Sequence, residues 1–330
     1  TITLDLDGTF DAMTANALVK ATELDIEDSL AAREVTGTFT SKLDLADMEV
    51  IPLKGSAALV NLSKLPPEAV SLIGENLDID FELTYALETE KLDLTTLRLL
   101  GAHVTAEGAG ALNIADLSAE ADVALTLDDL SRALPMGGKL VADLSLTSPD
   151  ISQTMSGTLK ARTEQFDMQD ASLQPLVGSA PTLDVKIDMA DEKLTFTDIL
   201  LAVASGEVTG QVALPMSFET IEADLTAKMP ALAPLSDIAT IPIKGNAVLQ
   251  ATLSGALADP DIDGRLDVAN LDVDGMALGA LDAEVKVQAL ATSPDGKISL
   301  RLRHDKLTAL AAADFALPDY GRPQRYRAGQ

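Results

Sequence analysis

The chain has 330 residues, of which 47% are hydrophobic and only 3% aromatic, so it can bury a continuous core of aliphatic side chains. Its formal net charge of -28 excludes nucleic acid as a partner, because phosphate binding needs a surface rich in Lys and Arg. The absence of Cys excludes disulfides and thiolate metal sites. No apolar run approaches the roughly 18 residues of a membrane span, and the chain starts at Thr1 without Met. We therefore expect a segment of a longer protein.

The first stretch, Thr3–Phe10, reads TLDLDGTF and contains two closely spaced aspartates. Asp5 and Asp7 resemble the nucleophile and the acid/base of haloacid-dehalogenase-like phosphatases. That family needs a helix directly after the loop, whereas apolar alternation continues here, and the triplet Gly-Thr-Phe recurs at 37–39. We interpret the stretch as a short break between strands that recurs in a repeat. We therefore predict that the chain is not an enzyme.

Apolar and polar residues alternate in many short segments, which predicts β-strands with one apolar and one polar face. The clearest segments are Leu77–Leu83, Ala121–Leu127, Leu183–Met189 and Ile298–Leu302. At one strand every roughly 10–12 residues, about 25–30 strands are expected. Short helices are predicted at Pro67–Gly74, Asp128–Leu134 and Pro234–Ala239. None is long enough for a βαβ crossover, so the predicted fold class is all-β.

The stretch Leu253–Val287 shows the alternation most clearly, with Leu and Val on one face and Asp, Glu or Lys on the other. Turn signals punctuate it and predict short strands between them. These signals are Asp259-Pro260, Asp263-Gly264, Asp274-Gly275 and Gly279.

Metal and cofactor motifs in the chain are incomplete. Asp259, Asp261 and Asp263-Gly264 match the opening of a calcium loop, but its twelfth position is Asn270, where a bidentate Glu is needed. The two histidines, His103 and His304, are far apart in sequence. Gly108 and Gly110 do not form a dinucleotide-binding loop. We predict no metal site, no cofactor and no catalytic residue.

Internal repeats organise the chain. Glu90–Leu100 matches Glu192–Ala202, 102 residues further on, and Ile51–Leu59 (IPLKGSAAL) returns as Ile241–Leu249 (IPIKGNAVL). We predict one continuous repetitive segment over residues 1–317, with the clearest copies at about 90–189 and 192–291. Residues 318–330, which contain three arginines, are predicted to be a polar tail or linker.

A sheet of this size must curl, and curling with the apolar faces inward would form an elongated, open hydrophobic groove. The alternative is an ordinary closed core, as in a β-solenoid or sandwich. An open apolar surface of this length exceeds what soluble monomers tolerate, so we expect phospholipid acyl chains to fill it. The predicted lining residues are Val185, Ile187, Leu266, Val268, Leu271, Val273, Val285 and Val287.

The stretch from Gly255 to Leu266, GALADPDIDGRL, has the pattern G-x-L-x-x-P-x-I-x-G-x-L. This pattern, with the turns after it, resembles the repeats of TamB-like proteins within the AsmA-like group of Gram-negative envelope proteins. The resemblance covers most of the chain through its repeats.

The resemblance implies a long β-taco groove in the periplasm that carries phospholipid between the inner and the outer membrane. It also implies support for outer-membrane biogenesis, an inner-membrane anchor on the full-length protein, and an Omp85-type barrel partner contacted through parts outside this segment. Two alternatives stay open: a chaperone-like groove that assembles outer-membrane proteins with such a barrel, and a structural β-solenoid of a surface protein.

Overall fold

The computed structural model describes residues 1–26, 30–45, 48–288, 291, 294–304 and 307–316, and the predicted tail at 318–330 lies outside them. The described part contains nineteen β-strands, three short α-helices and one 3-10 turn. The predicted all-β class is therefore confirmed. The chain forms two compact units, Thr1–Gln169 (unit 1) and Asp170–Gln330 (unit 2), and each is described by itself.

Unit 1 contains ten strands in which each strand pairs antiparallel with the next along the chain. The strands are β1 (Ile2–Thr9), β2 (Ala12–Ile26), β3 (Leu30–Leu43), β4 (Val50–Ser63), β5 (Asn76–Ala86), β6 (Lys91–Leu100), β7 (Val104–Asn113), β8 (Ala119–Leu127), β9 (Met136–Asp150) and β10 (Thr154–Met168). Helix α1 (Pro67–Ile73) follows β4, and the 3-10 turn Leu130–Arg132 follows β8.

Unit 2 contains nine strands, again an antiparallel meander in chain order. The strands are β11 (Thr182–Ala190), β12 (Lys193–Val203), β13 (Gly206–Pro215), β14 (Thr220–Met229), β15 (Ile243–Ala256), β16 (Asp259–Val273), β17 (Met276–Gln288), β18 (Asp295–His304) and β19 (Leu307–Ala316). Helix α2 (Gln174–Val177) precedes β11, and α3 (Leu235–Ala239) follows β14.

The pairing register keeps apolar residues on one face of each sheet, because directly opposed residues of antiparallel strands share a face. In unit 1 one cross-strand row passes through all ten strands: Leu4, Ala17, Phe39, Gly55, Phe81, Leu97, Gly108, Val123, Leu144 and Leu159. In unit 2 a row passes through all nine: Leu183, Leu201, Val208, Ala227, Leu249, Leu266, Ala283, Leu300 and Ala311. We call this face of each sheet its apolar floor.

The strands are fewer and longer than the sequence predicts. Strand β16 has 15 residues and contains Asp263-Gly264, which was predicted to be a turn, and β17 contains Gly279. Gly264 is buried on the apolar floor opposite Ala251 and Val285, where it continues the strand ladder and forms no turn. The turn at Asp274-Gly275 is confirmed.

β-Bulges preserve the apolar floor where the sequence alternation changes phase. In β16 the alternation runs through Val268 and resumes at Leu271, an odd spacing that would move Leu271 to the polar face of a regular strand. Asn270 has a φ of 54°, and the register with β17 shifts between Val268 and Leu271. The inserted residue returns Leu271 to the apolar floor.

The helices lie at one side of each sheet, which we call the helix side. The predicted helices at Pro67–Gly74 and Pro234–Ala239 are confirmed as α1 and α3, and the one at Asp128–Leu134 is a 3-10 turn. α1 and the 3-10 turn leave the sheet four strands apart, about 19 Å in a flat sheet, yet they contact each other. The sheet of unit 1 is therefore curled at this side.

A small closed core lies beneath α1. Ala32, Leu59 and Leu62 are buried there, and Ile73 at the end of α1 packs against them. The carbonyl oxygen of Ile73 also accepts a hydrogen bond of 2.8 Å from the amide of Ala102, in the turn between β6 and β7. These contacts fold α1 back over the apolar floor of β3–β5.

Candidate functional site

The residues predicted to line a groove all lie on the apolar floor of unit 2. Ile187 and Val287 belong to one cross-strand row, joined through Phe196, Val212, Ala223, Leu253 and Ile262. Leu266 lies in the row described above. The others share this face through their strand neighbours: Val185, Val268, Leu271, Val273 and Val285. Val185 and Ile187 on β11 lie five strand spacings from β16, about 24 Å, so the residues form an extended surface and not a single pocket.

The apolar floor is only partly covered by protein. Within the described residues, no large side chain is completely removed from solvent, which a facing sheet would require. Val185, Val268 and Val287 are the most protected of the predicted residues, and the others are half-buried. Two floor leucines within the strands of unit 2 are more accessible: Leu249 has 42% of its surface exposed, and Leu300 has 37%.

Sequence reasoning did not name Leu249 or Leu300 as lining residues. Leu249 closes the repeated motif IPIKGNAVL, and Leu300 lies in the alternating segment Ile298–Leu302, so both could be recognised as floor residues. Their exposure could not be predicted from the sequence, because it depends on which neighbours cover each position in the fold.

The opposite face of each sheet is mainly polar, although it exposes leucines such as Leu310, and it carries ion pairs between adjacent strands. Lys186 bridges Asp198 at 2.6 Å, and Lys286 bridges Asp263 at the same distance. The hydrogen bond and charge of each aspartate raise the pKa of its lysine above the usual value. All four side chains are well exposed, so each pair contributes little to stability. These pairs keep charge on the polar face.

A depression of about 900 Å³ on the polar face of unit 2 is lined largely by polar side chains, among them Thr209, Gln211 and Asp224. The amide of Gln211 donates to Asp224, and so does the hydroxyl of Thr252, each at 3.2 Å. These hydrogen-bonding side chains suit water better than hydrocarbon.

The residues that resemble catalytic or metal-binding motifs are not brought together into a site. Asp5 and Asp7 are exposed on β1, with strand and not helix after them. Asp261 and Asp263 lie within β16, where a calcium loop cannot form. In the described part of the chain no group of three or more His, Asp or Glu side chains is close enough to hold a metal ion. His103 and His304 belong to different units.

Comparison of the chain with protein-family models, with curated proteins and with solved structures found no match. Among the described residues, no helix has both the length and the apolar character needed to cross a bilayer.

Proposed function

We propose that the apolar floor binds phospholipid acyl chains and shields them from water. The observation that supports this proposal most is the unbroken apolar row across all nine strands of unit 2, which includes a leucine with 42% of its surface exposed. A soluble protein rarely leaves such a contiguous surface uncovered without a ligand or partner.

The energetics favour hydrocarbon as the ligand. Burying a methylene group contributes about 0.8 kcal/mol, so roughly 16 methylenes offer on the order of 12 kcal/mol before the cost of ordering the chain. Aliphatic residues repeat from strand to strand along each row, so this energy changes little along the floor. An acyl chain could therefore move along the row without being held at one position.

We further propose that the chain is a periplasmic segment of a bridge-like lipid-transfer protein of the TamB-like kind, passing phospholipid between inner and outer membranes. The repeated strand pattern and the aliphatic floor support this proposal. An Omp85-type barrel partner remains part of it, through segments outside this chain.

Neighbouring residues on opposite faces allow a direct test of acyl-chain binding. A photo-reactive amino acid is introduced at Leu249 on the apolar floor or at Gln250 on the polar face, and each variant of the full chain is illuminated with phospholipid vesicles. We expect phospholipid adducts at position 249 and none at 250, measured by mass spectrometry. Equal labelling at both positions, or none at 249, would contradict acyl-chain binding.

A further inference from the structure

The side of the sheet opposite the helix side, which we call the turn side, exposes large apolar residues in unit 1, although turns are usually polar. Five turns lie there, between β1 and β2, β3 and β4, β5 and β6, β7 and β8, and β9 and β10. Each turn has at least one large apolar side chain with 39–66% of its surface exposed: Phe10, Met48, Leu87, Ile114, Leu117 and Ile151. We call these six residues the apolar ledge.

Backbone hydrogen bonds join each of these turns to the next, so the apolar ledge is continuous. Each bond lies beyond the last pair of its strand ladder. In every case an amide of one turn donates to a carbonyl oxygen of the turn before it: Leu45 to Phe10 (3.1 Å), Leu87 to Glu49 (2.9 Å), Ile114 to Glu90 (3.0 Å) and Ile151 to Leu117 (3.0 Å).

The apolar ledge is large enough for a specific interface. The exposed parts of its six side chains amount to on the order of 600 Å², the upper end of the largest apolar patches on soluble monomers. A specific interface covers about 800 Å² on each partner, which the ledge reaches once the polar atoms beside it are included. The helix side of unit 1 differs, because α1 packs there over the floor.

The acids beside the ledge indicate the charge of a partner. Glu49, Glu90 and Asp116 are exposed in the same turns, and none forms an ion pair within the described residues. On the polar face, by contrast, Glu82 meets Lys54. A second copy of this surface, or an anionic bilayer, would bring like charges together. Charge complementarity therefore favours a partner with Lys or Arg beside its apolar residues.

The spacing of the turns matches that of an α-helix. Successive turns on this side are two strands apart, which is about 9.6 Å in a flat sheet. Seven residues of an α-helix rise about 10.5 Å. A helix with one apolar stripe therefore brings each of its heptads to one turn, and the four intervals between the five turns need roughly 28 residues.

We propose that the apolar ledge binds an amphipathic helix of a partner protein, about four heptads long, whose aliphatic stripe is flanked by lysine or arginine. The stripe packs on the ledge side chains, and the basic residues pair with the carboxylates of Glu49, Glu90 and Asp116. This interaction is separate from acyl-chain binding by the apolar floor and does not depend on it.

A synthetic helix of about 28 residues serves as the probe, with leucine at heptad positions a and d and lysine at e and g, where lysines disfavour self-pairing of the peptide. A matched peptide has glutamate in place of every lysine. Fluorescence anisotropy measures binding of each peptide to the full chain. We expect the lysine peptide to bind at least about ten-fold more tightly than the glutamate peptide. One variant with Leu87→Ser, Ile114→Ser and Ile151→Ser should weaken the lysine peptide by about ten-fold or more, because less apolar area is buried.

A control variant carries Leu100→Ser, Leu134→Ser and Leu310→Ser, at leucines that are 41–71% exposed outside the ledge. Neither variant changes the net charge, so non-specific attraction of the lysine peptide to the acidic surface is the same in both. The control should bind the peptide as wild type does, and circular dichroism checks that both variants are folded. Glu49→Gln with Glu90→Gln leaves the packing intact and should weaken binding by about two- to five-fold, and less at high salt.

Three results would overturn helix binding at the ledge. The first is a wild type that does not bind the lysine peptide. The second is equal affinity of the ledge variant and the control variant for that peptide. The third is a ledge variant that keeps peptide binding and instead loses self-association or binding to phosphatidylcholine vesicles, because the occupant is then a second copy or a bilayer.

Discussion

Leu59 and Leu249 occupy equivalent positions in two copies of one motif, IPLKGSAAL and IPIKGNAVL, yet their surroundings differ. Both lie on an apolar floor between apolar cross-strand neighbours, Leu59 beside Val35 and Leu77. Leu59 is 7% exposed, whereas Leu249 is 42% exposed.

The difference lies in what covers each floor at the helix side. α1 comes after β4, folds back on the floor and closes a small core over Leu59, whereas α3 comes before β15 and Leu249 stays exposed. The same aliphatic surface is thus a protein core in one place and an open surface in the other. Coverage by other parts of the chain, and not sequence pattern, distinguishes a structural floor residue from a candidate binding residue.

The strongest test of this comparison is the same truncation at both leucines. We expect Leu59→Ala to lower the free energy of unfolding by about 2–5 kcal/mol, because it leaves a cavity in a closed core. Leu249→Ala should cost about 1 kcal/mol or less, because much of that side chain already contacts water. Chemical denaturation of both variants measures the difference, and equal costs would mean that Leu249 is covered as well.

Lipid should stabilise the open region, and a charge on its floor should remove that effect. With phospholipid at about 100 times the dissociation constant, wild type should gain roughly 2.7 kcal/mol. Leu249→Glu should lose most of this gain, because a carboxylate on the floor is costly beside an acyl chain. Gln250→Glu adds the same charge on the polar face and should keep the gain. Thermal unfolding with and without lipid gives the values, and a retained gain in Leu249→Glu would place the lipid elsewhere.

Two glycines on the apolar floors, Gly55 and Gly264, differ in how closely other atoms surround them. The rings of Phe39 and Phe81 lie over Gly55, so a Cβ added there would come within 2.6 Å of Phe81 Cζ and 2.8 Å of Phe39 Cδ1. At Gly264 the nearest atom would be 3.8 Å away. Gly55→Ala should therefore destabilise by about 1–3 kcal/mol, and Gly264→Ala should be neutral or slightly stabilising. Thermal melts of the two variants should separate clearly, and coincident melts would contradict ring packing over Gly55.

The smallest expected effect is a dependence on pH shared by both units. In the turns at Asp150 and Asp170, the serine two residues later donates its hydroxyl to the carboxylate at 2.6 Å. These hydrogen bonds lower the pKa of Asp150 and Asp170 below the usual value of 3.8. A lowered pKa in the folded state contributes stability above the unfolded pKa, and this stability is lost as pH falls through the folded pKa.

Replacement of the donors tests the contribution of these turns. Ser152→Ala and Ser172→Ala should each lower the melting temperature slightly at pH 7, by similar amounts in the two units. The difference from wild type should shrink on acidification below the usual aspartate pKa. A difference that stays constant with pH would show that the carboxylates are not the acceptors that matter.

The sequence predicted the strands more reliably than their boundaries. Leu183–Met189 and Ile298–Leu302 lie in β11 and β18, because alternation is a local property of a strand. The turn predicted at Asp263-Gly264 was wrong, because both residues pair with β15 and β17 inside the ladder, and this pairing with other strands overrides the local turn signal. Helix α2 was missed because four residues are too few to show helical periodicity.

The linear order of residues already separated the two faces of these sheets, because period-two alternation assigns each side chain to one face without reference to distant parts of the chain. Only the tertiary structure decided which stretches of the apolar floor are covered. The cover depends on strand register and on where α1 folds back, and these contacts join residues tens of positions apart.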